Sequence, residues 1–241
     1  MAMKRVLSEE SGFVVGAQVP VSDAESHHLL RVLRAKQGEA VEVLGKGSAC
    51  LARLEMSGKC AALTCESLID AASRESPLDL HVVLACPVHR QTLDGLVPAL
   101  VQLGVNQVTV VQSAFGGSLK TDLEKWLSRL SSIEQQARKQ SGRIHEMSIY
   151  FERNMALALD QADGLKIVLD PSGGPTDMAE ILNELTLVIG PEGGFSREEL
   201  NVAVSAGFLV CSLGPRILRM ETAAVGACFW AQSRFGDFRL P

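Results

Sequence analysis

Short apolar runs alternate with helical patterns over the second two-thirds of the chain. Buried strands are predicted at "LDLHVVLACP", "NQVTVVQS", "LKIVLDP", "LTLVIG" and "FLVCSLG". Helices are predicted between and after them, at "TLDGLVPALVQLG" up to Gly104, Thr121 to Gly142, Ser196 to Gly207, and about Glu221 to Phe235. Continuous apolar strands that alternate with helices predict an α/β fold, a parallel sheet with helices on both faces.

The N-terminal part has a different pattern. "AVEVLGKGSACLARLEMSG" alternates apolar and polar positions around a Gly-Lys-Gly turn, which predicts a β-hairpin. "CAALTCESLI" predicts another strand, and a short helix around 26–33 precedes them. "DAASRESP", at 70–77, is small, polar and closed by a proline, which is typical of a linker. We therefore expect a β-rich domain at 1–72 and an α/β domain at 77–241.

The segment "LVIGPEGGFSREEL" joins a predicted strand to a predicted helix. Ser196 and Glu199 have the spacing of a capping box, and Phe195 with Leu200 that of a hydrophobic staple, so a helix begins at Ser196. The turn before it contains three glycines, a proline and Glu192. A tight turn does not require so many glycines.

Two other late strands end in similar loops, "VLDPSGG" and "SLGPRILR". Ligands of open α/β sheets bind beyond the carboxyl ends of the strands, so three such loops at one edge favour a ligand site. The alternative is a set of tight turns that only cover the sheet edge. None of the loops has the GxGxxG or GxxxxGK[ST] spacing, which argues against a dinucleotide or P-loop nucleotide.

Composition restricts the remaining possibilities. The chain has 241 residues, 46% of them hydrophobic and 21% charged, a globular balance with material for a core. It has no apolar run long enough for a membrane span and no signal-peptide pattern at its start, so we expect a cytoplasmic protein. The six cysteines form no CxxC pair and the five histidines no HExxH pattern. Buried thiols are expected, and no metal site.

Charge is unevenly distributed along this acidic chain, whose net charge is −5. Segment 27–36 contains Arg31, Arg34 and Lys36 without an acid, and segment 116–145 is also rich in Lys and Arg. The overall charge argues against a protein that coats nucleic acid non-specifically, whereas local basic faces fit a specific RNA contact. Solvated helix faces are the alternative.

"LVIGPEGGFSREEL" together with "VCSLGPRILRMETAAVGA" closely resembles the signature of the 16S rRNA (uracil(1498)-N(3))-methyltransferase family, in the SPOUT class. "HHLLRVLRAKQGEAVEVLGKG" and "KQSGR" resemble further stretches of the same family. The resemblance implies a PUA-like β-barrel domain, then a SPOUT domain with a deep trefoil knot. It also implies S-adenosyl-L-methionine as methyl donor, the small-subunit ribosomal RNA as substrate, and a homodimer.

The resemblance assigns the donor site to residues of the three late loops. They are Leu169, Ile189, Gly190, Glu192, Gly193, Gly194, Ser212, Leu213, Gly214, Ile217 and Leu218. The same loops would place three candidate catalytic residues beside the donor, namely Arg216, Arg219 and Glu221. The candidate contacts to RNA phosphates are Arg31, Arg34, Lys36, Lys139 and Arg143.

Uracil N3 carries a proton, so methylation there needs a proton acceptor and stabilisation of negative charge. Glu221 is the candidate base, and Arg216 or Arg219 the candidate partner of the anion or of a phosphate. Each has a structural alternative, since a carboxylate in a first helical turn is favoured by the helix dipole and an arginine can tie loops together.

Departures from the family pattern lie around His89, Gln102 and Gln136. They leave open two other functions, a SPOUT methyltransferase acting on a ribose hydroxyl or another base, and a non-catalytic RNA-binding protein.

Overall fold

The computed structural model describes residues 3–57, 60–118, 122–175 and 182–238. They form two compact units, of which the first consists of Met1–Glu75 with Gln135–Glu146 and the second of Ser76–Glu134 with Met147–Pro241. The first unit is therefore discontinuous in sequence. Around the predicted linker, the chain forms a 3-10 turn at Ala71–Ser73.

A five-stranded sheet forms most of the first unit. Its strands are β1 (Arg5–Leu7), β2 (Gln18–Val19), β3 (Ala40–Leu44), β4 (Ala49–Ser57) and β5 (Cys60–Ile69), in the order β1-β3-β4-β5-β2. The predicted hairpin is confirmed as β3 and β4, and the predicted strand after it as β5. A short helix, α1 (Asp23–His27), continues into a π-helical turn at His28–Val32, where a helix was predicted.

Residues 135–146 complete the core of the first unit. Ile144 is fully buried in a cluster with Leu44 and Ala49. The Arg138 guanidinium, buried as well, donates to the carbonyl of Gly45 at 2.9 Å and to that of Ile144 at 2.6 Å. This stretch therefore belongs to the hydrogen-bonded interior of the unit, which the sequence pattern did not indicate.

A buried carboxylate links three segments of the same unit. Glu42 on β3 accepts from Arg5 at 2.6 Å and from Arg74 at 2.8 Å. Burial opposes its ionisation, but the hydrogen bonds from Arg74 and Arg5 outweigh it and lower the pKa of the Glu42 carboxyl. Arg5 also donates to the carbonyls of Lys139 and Gln140, which ties β1 to residues 135–146.

The second unit contains a six-stranded, entirely parallel sheet. Its strands are β6 (Asp79–Ala85), β7 (Gln107–Val111), β8 (Ser148–Glu152), β9 (Leu165–Gly174), β10 (Glu184–Ile189) and β11 (Leu209–Cys211), in the order β11-β9-β10-β6-β7-β8. β6 and β10 are central and almost wholly buried, as continuous apolar strands of parallel sheets are. The predicted alternation is thus confirmed; β8, an edge strand with weak apolar pattern, was not predicted.

Helices lie between these strands and after β11. They are α2 (Gln91–Gln102), α3 (Leu123–Ser141), α4 (Met155–Asp160), α5 (Arg197–Ser205) and α6 (Met220–Phe235). Thr121, the predicted start of α3, lies outside the described residues. The C-terminal part of α3, from residue 135, belongs to the first unit.

The start and end of α5 follow local sequence signals. Ser196 and Glu199 form both hydrogen bonds of the predicted capping box, at 3.2 and 2.8 Å. Phe195 and Leu200 pack in one cluster, as the staple requires. Gly207, just past the helix, has a φ of 87°, the left-handed value that glycine adopts without strain.

β9 breaks its register at the edge of the sheet that carries the glycine-rich loops. Val168 pairs with Val210, but the next pair joins Gly174 to Cys211. Residues 169–173 therefore leave the ladder with β11 as a bulge. Bulges are common beside active sites because they redirect the chain away from the sheet.

A polar cluster lies on β6 and β7, towards the ends of these strands that are opposite to the glycine-rich loops. His81 on β6 is within 2.9 Å of the Thr109 hydroxyl and 3.2 Å of the Gln107 amide nitrogen. Burial lowers the pKa of His81 to about 4, with a smaller opposing effect of Asp163. The imidazole is thus neutral at physiological pH and serves as a hydrogen-bonding group within the sheet.

We expect acid to destabilise the protein through His81. Its pKa is about 4 in the folded state against 6.5 for a model histidine, so the unfolded chain binds more protons between these values. The contribution of His81 to the free energy of unfolding is fully present above the pKa of the unfolded chain. It falls by roughly 2–3 kcal/mol as the pH drops from about 6.5 to about 4. Urea unfolding at pH 7.5 and 4.5 should show a smaller loss for His81→Gln than for the wild type. Equal losses would contradict this prediction.

Candidate active site

A cavity of about 480 Å³ opens where β9, β10 and β11 end. These strands are neighbours in the sheet, so their three following loops meet at one edge. The volume is within the ordinary range for small-molecule sites. The predicted crevice between the glycine-rich loops is therefore present.

Every residue predicted to bind the donor lines this cavity. They are Leu169, Ile189, Gly190, Glu192, Gly193, Gly194, Ser212, Leu213, Gly214, Ile217 and Leu218. Apolar side chains from all three loops form much of the lining, with glycine backbone between them. The structure brings these residues together; their contact with a donor stays a prediction.

The lining also includes residues that the sequence analysis did not assign to the donor site. They are Asp170, Pro171, Ser172, Pro191, Phe195, Cys211, Met220 and Ala223. Asp170 accepts from the Ser172 amide at 2.9 Å and from its hydroxyl at 2.5 Å, which shapes the bulge after β9. The sequence pattern that could have indicated Asp170 and Ser172 is "VLDPSGG", because an Asp two residues before a Ser favours a local turn.

The three glycines of the 190–194 loop meet demands of the protein itself. A Cβ on Gly193 would lie 2.9 Å from the Cβ of Phe115, and one on Gly190 would lie 3.3 Å from the Phe195 ring. Gly194 has a φ of 72°, which favours glycine. The loop is glycine-rich because two aromatic residues approach its backbone and one turn is left-handed.

Two carboxylates fix the neighbouring loops against this one. Glu192 accepts from the amide of Val88, in the loop after β6, at 3.2 Å. Glu199, the capping residue of α5, accepts from the amide of Ala114, in the loop after β7, at 2.8 Å. The loops after β7 and β6 are thereby joined to the connection between β10 and α5.

The candidate catalytic residues lie at the mouth of the cavity and at the start of α6. Arg216 lines the cavity and is exposed. Arg219 is the N-cap residue of α6 without a side-chain capping bond, and Glu221 lies in the first turn. Within the described part of the chain, none of these three side chains has a hydrogen bond or ion pair. Arg216 does not tie loops together, so all three groups are available to a substrate.

The proposed RNA contacts of Lys139 and Arg143 conflict with their positions. Lys139 pairs with Glu25 at 2.7 Å and its side chain is only 9% exposed. Arg143 pairs with Glu75 at 3.2 Å and is 5% exposed. Both charges stabilise the first unit internally, so we leave them out of the proposed RNA contact. Sequence spacing alone does not reveal these acidic partners, because they are distant in the chain.

Arg31, Arg34 and Lys36 are exposed, by contrast. Arg31 and Arg34 form no ion pair among the residues that the structure describes, whereas Lys36 lies near Glu39. Arg34 follows the π-helical turn with a φ of 51° and is the sole non-glycine residue of the described segments with a positive φ. Glycine would adopt this conformation more readily, so the backbone of Arg34 is held in a conformation that is uncommon for residues with a Cβ.

The described segments contain no cluster of three His, Cys, Asp or Glu side chains placed to hold a metal ion. They also contain no helix that is long and apolar enough to cross a membrane.

Comparison with known families is consistent with this geometry. The model of an RNA methyltransferase domain matches residues 74–232, about two-thirds of the chain. The chain belongs to the RNA methyltransferase family. The model of the PUA domain of RNA methyltransferases matches residues 21–62, within the first unit. A ribosomal RNA small subunit methyltransferase E from Buchnera aphidicola is 28% identical over 231 residues, covering 91% of this chain and 92% of the relative.

Two solved structures resemble this family member along nearly its whole length. A ribosomal RNA small subunit methyltransferase E from Neisseria gonorrhoeae, bound to S-adenosyl methionine, has a TM-score of 0.89 and 30% identity, with 98% of this chain and 100% of that chain covered. A putative methyltransferase from Legionella pneumophila, also with bound S-adenosyl methionine, has a TM-score of 0.87 and 28% identity, with coverage of 99% and 100%. The expected fold class, a SPOUT-type parallel sheet with a PUA-like domain before it, is confirmed; the knot stays a prediction.

Proposed function

We propose that this RNA methyltransferase transfers a methyl group from S-adenosyl-L-methionine to N3 of one uridine in the 16S ribosomal RNA of the small subunit. The observation that carries the proposal is the cavity at three adjacent strand ends, with two cations and a carboxylate beside it that have no partner among the described residues. The names of the relatives support the ribosomal substrate. A cytoplasmic location is part of the proposal, because the proposed substrate is ribosomal RNA.

The cavity fits such a donor in size and chemistry. An adenosyl group needs a narrow apolar slot, which Leu169, Ile189 and Leu218 line, with the flat glycine backbone of 190–194 beside them. Bound there, S-adenosyl-L-methionine would supply an electrophilic methyl group on its sulfonium. The protein's own tasks are then to exclude water, align the base and accept a proton.

The N3 proton of uracil must leave before N3 becomes a good nucleophile. Glu221 is the proposed base, because it lies at the start of α6 next to the cavity lining and has no other partner in the described chain. Arg219 and Arg216 are proposed to stabilise the negative charge that develops on the flanking carbonyls. Arginine suits this role because it stays charged and donates several hydrogen bonds.

Mass spectrometry of nucleosides from 16S ribosomal RNA tests the proposal directly. Cells that lack the gene should lose 3-methyluridine from one site, and the purified protein should restore it on small-subunit particles. A methyl group on a ribose oxygen or on another base would support a different methyltransferase. Unchanged nucleosides would favour the non-catalytic RNA-binding alternative.

Arg31 and Arg34 are proposed to hold RNA phosphates, as supported by their exposure and lack of ion pairs in the described chain. We expect Arg31→Gln and Arg34→Asn to weaken RNA binding and to lower the salt dependence, by a slope of about 1 for each lost phosphate contact. Asparagine suits position 34 because it tolerates a positive φ. Filter binding between 50 and 300 mM salt measures the slope, and donor affinity should not change. An unaltered slope would place the RNA elsewhere.

The homodimer is proposed because α6 keeps an uncovered apolar side. Ala224, Ala227 and Cys228 are buried within the chain, whereas Val225 and Phe229 are 37% and 43% exposed. A second copy would cover them in a two-fold arrangement.

Sedimentation at micromolar concentration should give about twice the 25.9 kDa of one chain. Phe229→Glu should shift the protein towards the monomer, because a charge opposes burial of this side. Leu157→Glu, at an exposed apolar position on α4, is the matched control for the added charge. A wild-type protein that sediments as a monomer would refute the proposal.

A further inference from the structure

An exposed aromatic side chain lies at the rim of the donor cavity. Phe115, in the loop after β7, is 54% exposed. Its Cβ would lie only 2.9 Å from a Cβ placed on Gly193, which lines the cavity. Two other aromatic side chains of the described chain are comparably exposed, Tyr150 on the edge strand β8 and Phe229 on α6.

The loop that carries Phe115 is rigidly held. The amide of Ala114 donates to Glu199 at 2.8 Å, and the amide of Gly117 donates to the carbonyl of Cys86 at 2.8 Å. The Gln112 side chain donates to the carbonyl of Gly117, again at 2.8 Å. These hydrogen bonds hold the backbone on both sides of Phe115, so the loop keeps the side chain next to Gly193.

Close packing with the loop after β6 adds to this rigidity. A Cβ on Gly116 would lie 2.6 Å from the Cys86 carbonyl oxygen, and one on Gly117 would collide with the Pro87 carbonyl oxygen. Glycine at both positions therefore lets the two loops touch. The same neighbouring loop exposes a second apolar side chain, Val88, at 53%.

Exposure of a phenylalanine ring to water is unfavourable. Because the loop is fixed, the ring of Phe115 stays exposed in the free protein. Enzymes that modify a base must remove it from its stack, and they commonly receive it on aromatic or apolar side chains. Single-stranded RNA bases likewise stack on aromatic rings in recognition sites. A base stacked on Phe115 would lie beside the donor cavity, because Gly193, which Phe115 approaches, lines that cavity.

We propose that Phe115 is the positioning residue that stacks on the target nucleobase and holds it against the methyl donor. The inference rests on the proposed function, because it assumes an RNA base as the methyl acceptor. Phe115 takes no part in proton transfer; it acts by orientation and by replacing the stacking that the base loses on leaving the RNA.

Single-turnover methylation of small-subunit particles by Phe115 variants tests the proposal. Phe115→Ala should lower the rate at subsaturating RNA by about 10- to 100-fold, as expected for the loss of base stacking. Phe115→Tyr and Phe115→Trp should keep most of the activity, since they keep an aromatic face. Phe115→Leu retains apolar area without a ring and should resemble Phe115→Ala.

Donor affinity by calorimetry and sedimentation of each variant complete the test. Both should match the wild type, which separates stacking from a role in donor binding or assembly. Equal activity of the leucine and tyrosine variants would overturn the proposal, because an apolar contact would then suffice. Full activity of Phe115→Ala would overturn it as well. A wild-type enzyme that methylates no RNA base would instead refute the proposed function.

Discussion

Replacing Glu221 by glutamine is expected to lower the single-turnover rate of methyl transfer by roughly 10²- to 10⁴-fold, the usual contribution of a positioned general base. Glutamine keeps the shape of the side chain but does not accept the N3 proton. Saturating RNA and donor must be used, so that the rate reports the chemical step and not binding. Arg219→Ala should lower the same rate by about 10²- to 10³-fold if the guanidinium stabilises the developing anion.

The matched control for Glu221→Gln is Glu198→Gln. Glu198 also lies in the first turn of a helix, α5, so its replacement removes the same helix-dipole interaction. That interaction contributes only about 0.3–1 kcal/mol to stability. A Glu221→Gln rate within twofold of the Glu198→Gln rate would show that the carboxylate at 221 only supports the helix.

Gly193→Val is expected to weaken donor binding by about 10- to 100-fold, the effect of an overpacking cost of about 1–3 kcal/mol. A Cβ at this position already lies 2.9 Å from the Cβ of Phe115, so the valine must displace one of two loops. The displaced loop would be 190–194, which lines the cavity. Calorimetry with S-adenosylmethionine measures the loss, and circular dichroism shows whether the variant is folded.

The double variant Gly193→Ala/Phe115→Gly identifies the cause. Gly193→Ala alone should weaken donor binding less than valine does, and removal of the Phe115 Cβ should restore it. A double variant that binds as weakly as Gly193→Ala would mean that the added methyl group blocks the donor itself. Normal binding by Gly193→Val would contradict the assignment of this loop to the donor site.

Local signals in the sequence were sufficient for most of the second unit. Continuous apolar strands, the Ser196–Glu199 capping box and the left-handed Gly207 each follow from near neighbours in the chain. The cavity lining could be predicted for a related reason, because adjacent parallel strands must deliver their following loops to one edge. The resemblance to a known family then assigned a chemistry to that edge.

Distant partners were not predictable from such signals. Lys139 and Arg143 lie in a segment rich in Lys and Arg, which is typical of an RNA-binding surface. Their ion-pair partners, Glu25 and Glu75, are far away in the sequence, so no local pattern indicates the pairing. The packing that requires glycine at position 193 could not be predicted either, since nothing near "PEGG" in the sequence indicates that Phe115 approaches this position. Edge strands β2 and β8 were missed because they are short or only half-buried.

The discontinuous first unit has a consequence for synthesis on the ribosome. Its last segment ends at residue 146, whereas its first segment ends at residue 75, so 146 − 75 = 71 further residues must be made before the unit can close. At about 5–20 residues per second this takes roughly 4–14 s. Meanwhile Leu44 and Ala49 lack the cover of Ile144, and Glu25 lacks Lys139. The emerging chain therefore presents an open apolar edge during this interval, a natural point for chaperone binding and for premature association between nascent chains.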